Sequence, residues 1–93
     1  MSLQKTIRAL DDPTRRTILE RLRGGVMTAG ELGEGMGLTA ATVSHHLACL
    51  KEAGLVSDQR KGRYIYYELN TSVFEDLLGW LLSLTGGESD EKD

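Results

Sequence analysis

Ala41, Ser44, His45 and Ala48 share a spacing that gathers small and polar groups on one side of a helix, together with Glu52. Val43, Leu47, Leu50 and Gly54 fall on the other side. A face of short side chains with a hydroxyl and an imidazole suits a deep groove, and the DNA major groove admits an α-helix. There, Ala40 and Ala41 suit thymine methyl groups and Ser44 can donate or accept at either base. Arg60, Lys61 and Arg63, set around Gly62, bring a second chemistry, the neutralisation of phosphates.

Other chemistry is poorly served. His45 and His46 are adjacent, so on a helix they point about 100° apart and do not readily chelate one ion. His45 belongs to the outer face, whereas His46 leans toward the core flank and reads as a hydrogen-bonded structural histidine. Cys49 is the only cysteine, which excludes an intrachain disulfide and fits a reducing cytoplasm. It reads as a small, semi-buried residue with no resolving partner for a thiol switch. Nucleophile elbow, phosphate loop and histidines at metal spacing are all missing, so neither an enzyme nor a metal or other cofactor is expected. No apolar run is long enough to span a membrane, and the N-terminus lacks the apolar core of a signal peptide.

The net charge of −3 argues at first against a nucleic-acid partner. Its distribution changes that inference. Glu88, Asp90, Glu91 and Asp93 against Lys92 hold the whole imbalance, and residues 1–85 are neutral. Within them, Arg60, Lys61 and Arg63 form one basic cluster, and Arg15, Arg16, Arg21 and Arg23 form another. A solvated face is the competing explanation of such clusters.

The elements that must position these groups are legible. Leu3, Ile7 and Leu10 mark a short first helix. Asp12-Pro13 starts a second, running to about Arg23 with Ile18, Leu19 and Leu22 inward and arginines outward, and Gly24-Gly25 stops it. Thr28-Ala29-Gly30-Glu31 has capping-box spacing and opens a short third helix, weakened by glycines and docked through Leu32 and Met36. Gly37-Leu38 makes a turn, and Thr39 caps the fourth helix, giving a helix-turn-helix pattern. Residues 55–60 and 63–69 then read as strands of a hairpin with Lys61-Gly62 at its basic tip. Asn70 or Thr71 caps a last helix to Thr85, too apolar for one small core to cover.

The fold expected is mainly α (α+β), a winged helix-turn-helix in the order ααααββα. Residues 1–85 form one DNA-binding and dimerisation domain, and 86–93 an acidic, disordered tail. Leu3, Ile7 and Leu10 with Val73, Leu77, Trp80, Leu81 and Leu84 would leave an exposed apolar patch on a monomer, so the terminal helices are expected to form a homodimer interface. Fold-back of Phe74 and Leu78 onto their own core is the competing expectation. A two-fold dimer places two reader helices about one DNA turn apart, matching a palindromic operator in double-stranded DNA.

Asp12-Pro13-Thr14-Arg15-Arg16-Thr17-Ile18-Leu19, Thr28-Ala29-Gly30-Glu31-Leu32, Ser44-His45-His46-Leu47, Leu50 to Val56, and Arg60-Lys61-Gly62 followed by Tyr66-Tyr67-Glu68-Leu69 resemble the ArsR-type (ArsR/SmtB) bacterial repressors. The resemblance spans about residues 3–84 and implies a cytoplasmic, homodimeric transcriptional repressor acting near its own gene. Many members sense metals through a Cys-x-Cys pair before the reader helix or Asp/His ligands on the last helix. Here residues 31–36 read Glu-Leu-Gly-Glu-Gly-Met and the last helix has no histidine. The detailed phrasing is closest to the SdpR-like autorepressor subgroup, which implies control by a membrane-bound immunity-type protein that sequesters the repressor. The expected DNA-contacting set is Thr28, Thr39, Ala40, Ala41, Thr42, Ser44, His45, Lys51, Arg60, Lys61, Arg63 and Tyr64. A winged helix that meets another protein, and a repressor with an atypical metal site, are the alternatives.

Overall fold

The computed structural model describes residues 2–86. Gly86 is therefore the only residue of the expected acidic tail that it describes, and residues 87–93 lie outside. Helix α1 (Leu3–Leu10) is capped by Ser2, whose hydroxyl accepts from the Lys5 N–H at 3.3 Å. The core takes the Thr6 and Ala9 side of this helix, and Ile7 of the apolar stripe lies exposed. Thr6 is fully buried without penalty because its hydroxyl donates to the Ser2 carbonyl at 3.0 Å. Helix α2 (Pro13–Leu22) starts where Asp12 accepts from the Arg15 N–H at 3.0 Å, with proline in the first turn, and buries Ile18, Leu19 and Leu22.

Strand β1 (Met27–Thr28) was not expected; it is two residues long and pairs with the hairpin. Thr28 then caps helix α3 (Ala29–Gly33) in a complete capping box with Glu31. Fully buried Leu32 docks α3, and Met36 packs against the core behind it. The last α3 residue, Gly33, allows a close approach to the next helix: a Cβ there would sit 2.8 Å from Val43 Cγ2. Helix α4 (Ala40–Glu52) is capped by Thr39 and buries Val43, Leu47 and Leu50. It ends in a Schellman motif, with Gly54 at φ +79°, its N–H bonded to the Lys51 carbonyl, and the Leu55 N–H bonded to the Leu50 carbonyl at 3.0 Å.

Strands β2 (Val56–Lys61) and β3 (Tyr64–Leu69) form the hairpin, and the antiparallel sheet runs β1-β3-β2. Lys61 pairs with Tyr64, so the two-residue tip is Gly62-Arg63, one place later than Lys61-Gly62. Gly62 supplies the positive φ, +63°, that such a tight connection needs. Helix α5 (Thr71–Thr85) follows Asn70, whose side chain makes no cap bond and instead accepts from the Ser72 hydroxyl. Val73 and Phe74 pack on the core, yet α5 has no buried residue, and Leu78 and Leu84 are 55% and 66% exposed. Fold-back thus covers Phe74 but not Leu78.

Candidate nucleic-acid interface

The α4 face expected to read DNA is open. Ala40, Ala41, Ser44, His45 and Ala48 are all exposed, opposite the buried Val43, Leu47 and Leu50. Thr39 fixes where this face begins. Its hydroxyl accepts from the Thr42 N–H at 3.1 Å and meets the Thr42 hydroxyl at 2.9 Å, so both threonines first serve the helix start. Among the described residues the N–H groups of Ala40 and Ala41 and the Ser44 hydroxyl have no protein partner. Free N–H groups at the positive end of a helix suit a phosphate oxygen, and Ser44, one turn on, suits a base edge. The His45 Nε2 lies 3.8 Å from the Cys49 thiol, one turn further along.

The wing is built from the β2–β3 end of the sheet. Arg60, Lys61 and Arg63 are exposed, and no carboxylate among the described residues pairs with them. Tyr64 meets Tyr66 edge-on at 6.5 Å, and the Lys61 ammonium lies 6.0 Å from the Tyr66 ring, so the tip is stiffened by its own aromatics. Lys51 is placed differently from the free cations. Its ammonium sits 3.0 Å from the Asp58 carboxylate, tying the last turn of α4 to β2. Thr28 likewise spends its hydroxyl on the α3 cap.

The second basic cluster is spent largely on the protein's own carbonyls, although Arg16 and Arg23 are exposed. Arg15 donates from Nε to the Ala9 carbonyl at 2.8 Å and from Nη2 to the Arg8 carbonyl at 3.2 Å. Arg16 donates to the Leu10 carbonyl at 2.7 Å, and Arg21 to the carbonyls of Leu32 and Glu34. These guanidiniums satisfy the carbonyls that helix C-termini leave open, which ties them to the backbone even where, as at Arg16, the residue stays exposed. Of the four, Arg23 alone is left without a side-chain partner among the described residues. His46 is the structural histidine expected, with Nδ1 3.3 Å from Arg15 Nη1. The sequence carried one signal for this network: Asp12-Pro13 leaves so short a connection that the first turn of α2 must lie against the end of α1.

Among the described residues two ionisable groups are shifted. The Arg15 N–H bonded to Asp12, with the Arg15 guanidinium nearby, holds that carboxyl below its usual range despite some desolvation. Partial burial pushes the Tyr67 hydroxyl up, helped by the Asp58 carboxylate. Of the expected interface residues, Ile7, Trp80, Leu81 and Leu84 are exposed, Leu3 and Leu77 half-buried, and Leu10 and Val73 largely taken up by their own core.

A model of the bacterial regulatory proteins of the arsR family matches residues 12–58, the span from the α2 cap through α4 into β2. The transcriptional repressor SdpR of Bacillus subtilis is 45% identical over 95% of this chain and 99% of its own. The chain belongs to the ArsR family. Solved members superpose on most of the chain. A crystal structure of an ArsR family transcriptional regulator matches with a TM-score of 0.88 at 27% identity, covering 92% of this chain and 94% of that one. A possible ArsR-family regulator of Mycobacterium bovis, solved in solution as a homodimeric winged helix-turn-helix DNA-binding domain, matches with a TM-score of 0.73 at 25% identity over 90% of this chain and 78% of its own. The ArsR resemblance and the winged helix-turn-helix expected from the sequence are both borne out, with β1 added to the sheet. Among the described residues no helix is long and apolar enough to cross a membrane.

Proposed function

We propose that this ArsR-family chain represses transcription as a homodimer joined through the outward faces of α1 and α5. In that assembly two α4 helices enter successive major grooves of a palindromic operator, and two wings hold the flanking phosphates. The observation that carries the proposal is an exposed α4 face of small and polar side chains from Ala40 to Ala48, together with Arg60, Lys61 and Arg63, with which no carboxylate among the described residues pairs. Ala40, Ala41, Ser44 and His45 read bases. Thr39, Thr42 and the α4 N-terminus position the helix, and the wing residues with Tyr64 engage the backbone. Lys51 acts from behind, through Asp58, and Thr28 through the α3 cap. The apolar run Leu78 to Leu84, left uncovered, supports the dimer seam.

Gel-shift titration of the purified protein against DNA from upstream of its own gene, with random duplex as competitor, tests this. Preference for the upstream fragment and a steep salt dependence are expected; equal binding to both at moderate salt would refute it. Working on DNA places the protein in the cytoplasm. Sequestration by a membrane protein rests on the subgroup resemblance, and vesicles bearing the neighbouring gene product should pull the repressor down if it holds.

A further inference from the structure

One guanidinium joins three helices. From the first turn of α2, Arg15 reaches back to the carbonyls of Arg8 and Ala9, at the end of α1. Its Nη1 also meets His46 Nδ1, on α4, at 3.3 Å. A guanidinium has donors only, so a hydrogen bond at this contact uses His46 Nδ1 as the acceptor. The Arg15 side chain is only 13% exposed, and Asp12 lies 4.0 Å from Nη1. His46 directly follows His45 and stands two residues after Ser44, both on the exposed reading face.

We propose that Arg15 and His46 are positioning residues for operator recognition, fixing α4 against α1 and thereby the separation of the two reader helices. This inference rests on the dimeric operator-binding proposal above. The outward side of α1, with Ile7, belongs to the seam, and its C-terminal carbonyls are held by Arg15. A Lys5–Glu52 ion pair at 3.9 Å also joins α1 to α4, but both side chains are largely exposed, so the shielded polar connection from the seam to the reader runs through Arg15 and His46. A helix free to tilt at His46 still meets phosphates through its N-terminus and the wing, but no longer presents two reading faces at one fixed spacing. Binding to random DNA has no such spacing to satisfy.

The test compares three duplexes: the operator, the same operator lengthened by one base pair between half-sites, and a random sequence. Wild type, Arg15→Lys, His46→Leu and His46→Asn are titrated on each, with thermal midpoint and dimer fraction recorded. His46→Asn places Oδ1 where Nδ1 stood and keeps an acceptor. Arg15→Lys and His46→Leu are expected to weaken operator binding about tenfold, the worth of one hydrogen bond to a charged group. They should leave random-duplex binding unchanged and shrink the penalty for the added base pair. His46→Asn should recover most of the loss. If the variants lower the thermal midpoint or dimer fraction while the ratio between the two spacings stays at the wild-type value, the pair is merely structural and the inference is overturned. A wild type that shows no operator preference would remove the functional proposal, and this inference with it.

Discussion

Gly33→Ala sets two effects of opposite sign against each other. Alanine gains up to about 1 kcal/mol over glycine in a helix interior, but Gly33 is the last residue of α3, where the gain is smaller. Against it stands Val43. The added Cβ would lie 2.8 Å from Cγ2 and 3.4 Å from Cγ1, inside the 3.5–4.0 Å or so at which carbon atoms attract. Val43 is 5% exposed, and a β-branched side chain in a helix has one strongly preferred rotamer, so it cannot turn aside cheaply. Overpacking of this kind costs about 1–3 kcal/mol. The clash wins, and a net loss of about 1–2 kcal/mol should lower the thermal midpoint by roughly 5–15 °C for a domain of this size. Calorimetry at fixed protomer concentration measures it, since dimer formation makes the midpoint concentration-dependent. The decisive comparison is Gly33→Ala in a Val43→Ala background, where the obstructing methyls are gone and the alanine should be neutral or stabilising. An increased midpoint for Gly33→Ala alone, or strictly additive effects of the two changes, would show that helix spacing is not what requires the glycine. Because α3 sets the tilt of α4, the single variant should also bind its operator less tightly than its residual stability alone explains.

Neutralising the wing with Arg60→Ala, Lys61→Ala or Arg63→Ala should weaken operator and random DNA alike and reduce the salt slope by about one for each phosphate no longer neutralised, whereas Ser44→Ala should change base preference and leave the slope alone. Leu81→Glu alters both copies of the proposed seam; the loss of about 2 kcal/mol in each weakens association about a thousandfold, so sedimentation should find a folded monomer, and an intact dimer would place the seam elsewhere. Asp12 has a folded pKa below its usual 3.8, so its contribution is fully present above that value and disappears as the pH falls through the depressed one. Asp12→Asn keeps a helix-capping oxygen but cannot titrate, and its acid-unfolding curve should be flatter there; identical curves would mean the cap carries no charge-dependent stability. Tyr67 has the opposite sense: its raised pKa gives stability that is present below pH 10.0 and lost above it, so Tyr67→Phe should blunt alkaline unfolding.

Helix starts were legible because each depends on one side chain bonding a backbone group three residues away, as at Asp12, Thr28 and Thr39. The buried and open faces of α4 were legible because thirteen residues give a helical period room to declare itself. Strand β1 could not be found that way. Two residues have no period, and Met27 and Thr28 become a strand only by pairing with Tyr67 and Tyr66, far along the chain. The roles of Arg15, Arg21 and Lys51 were hidden for the same reason, since a cation that satisfies a distant carbonyl or carboxylate looks in sequence like one facing solvent.

Helix α1 shows where pattern ends and packing begins. Leu3, Ile7 and Leu10 form its apolar stripe, yet the monomer core buries Thr6 and Ala9, takes Leu10 only in part and leaves Ile7 exposed. Small residues let the helix lie close on α2 and α4, near enough for Arg15 to bond its last carbonyls, and Thr6 settles its own hydroxyl within the helix. Periodicity reports that a stripe exists but not which surface will cover it. With α5 also presenting Trp80, Leu81 and Leu84 outward, both ends of the chain keep apolar surface that its own core leaves uncovered. That surplus is what a second copy would bury, and it is attached through Arg15 and His46 to the helix that would read the operator.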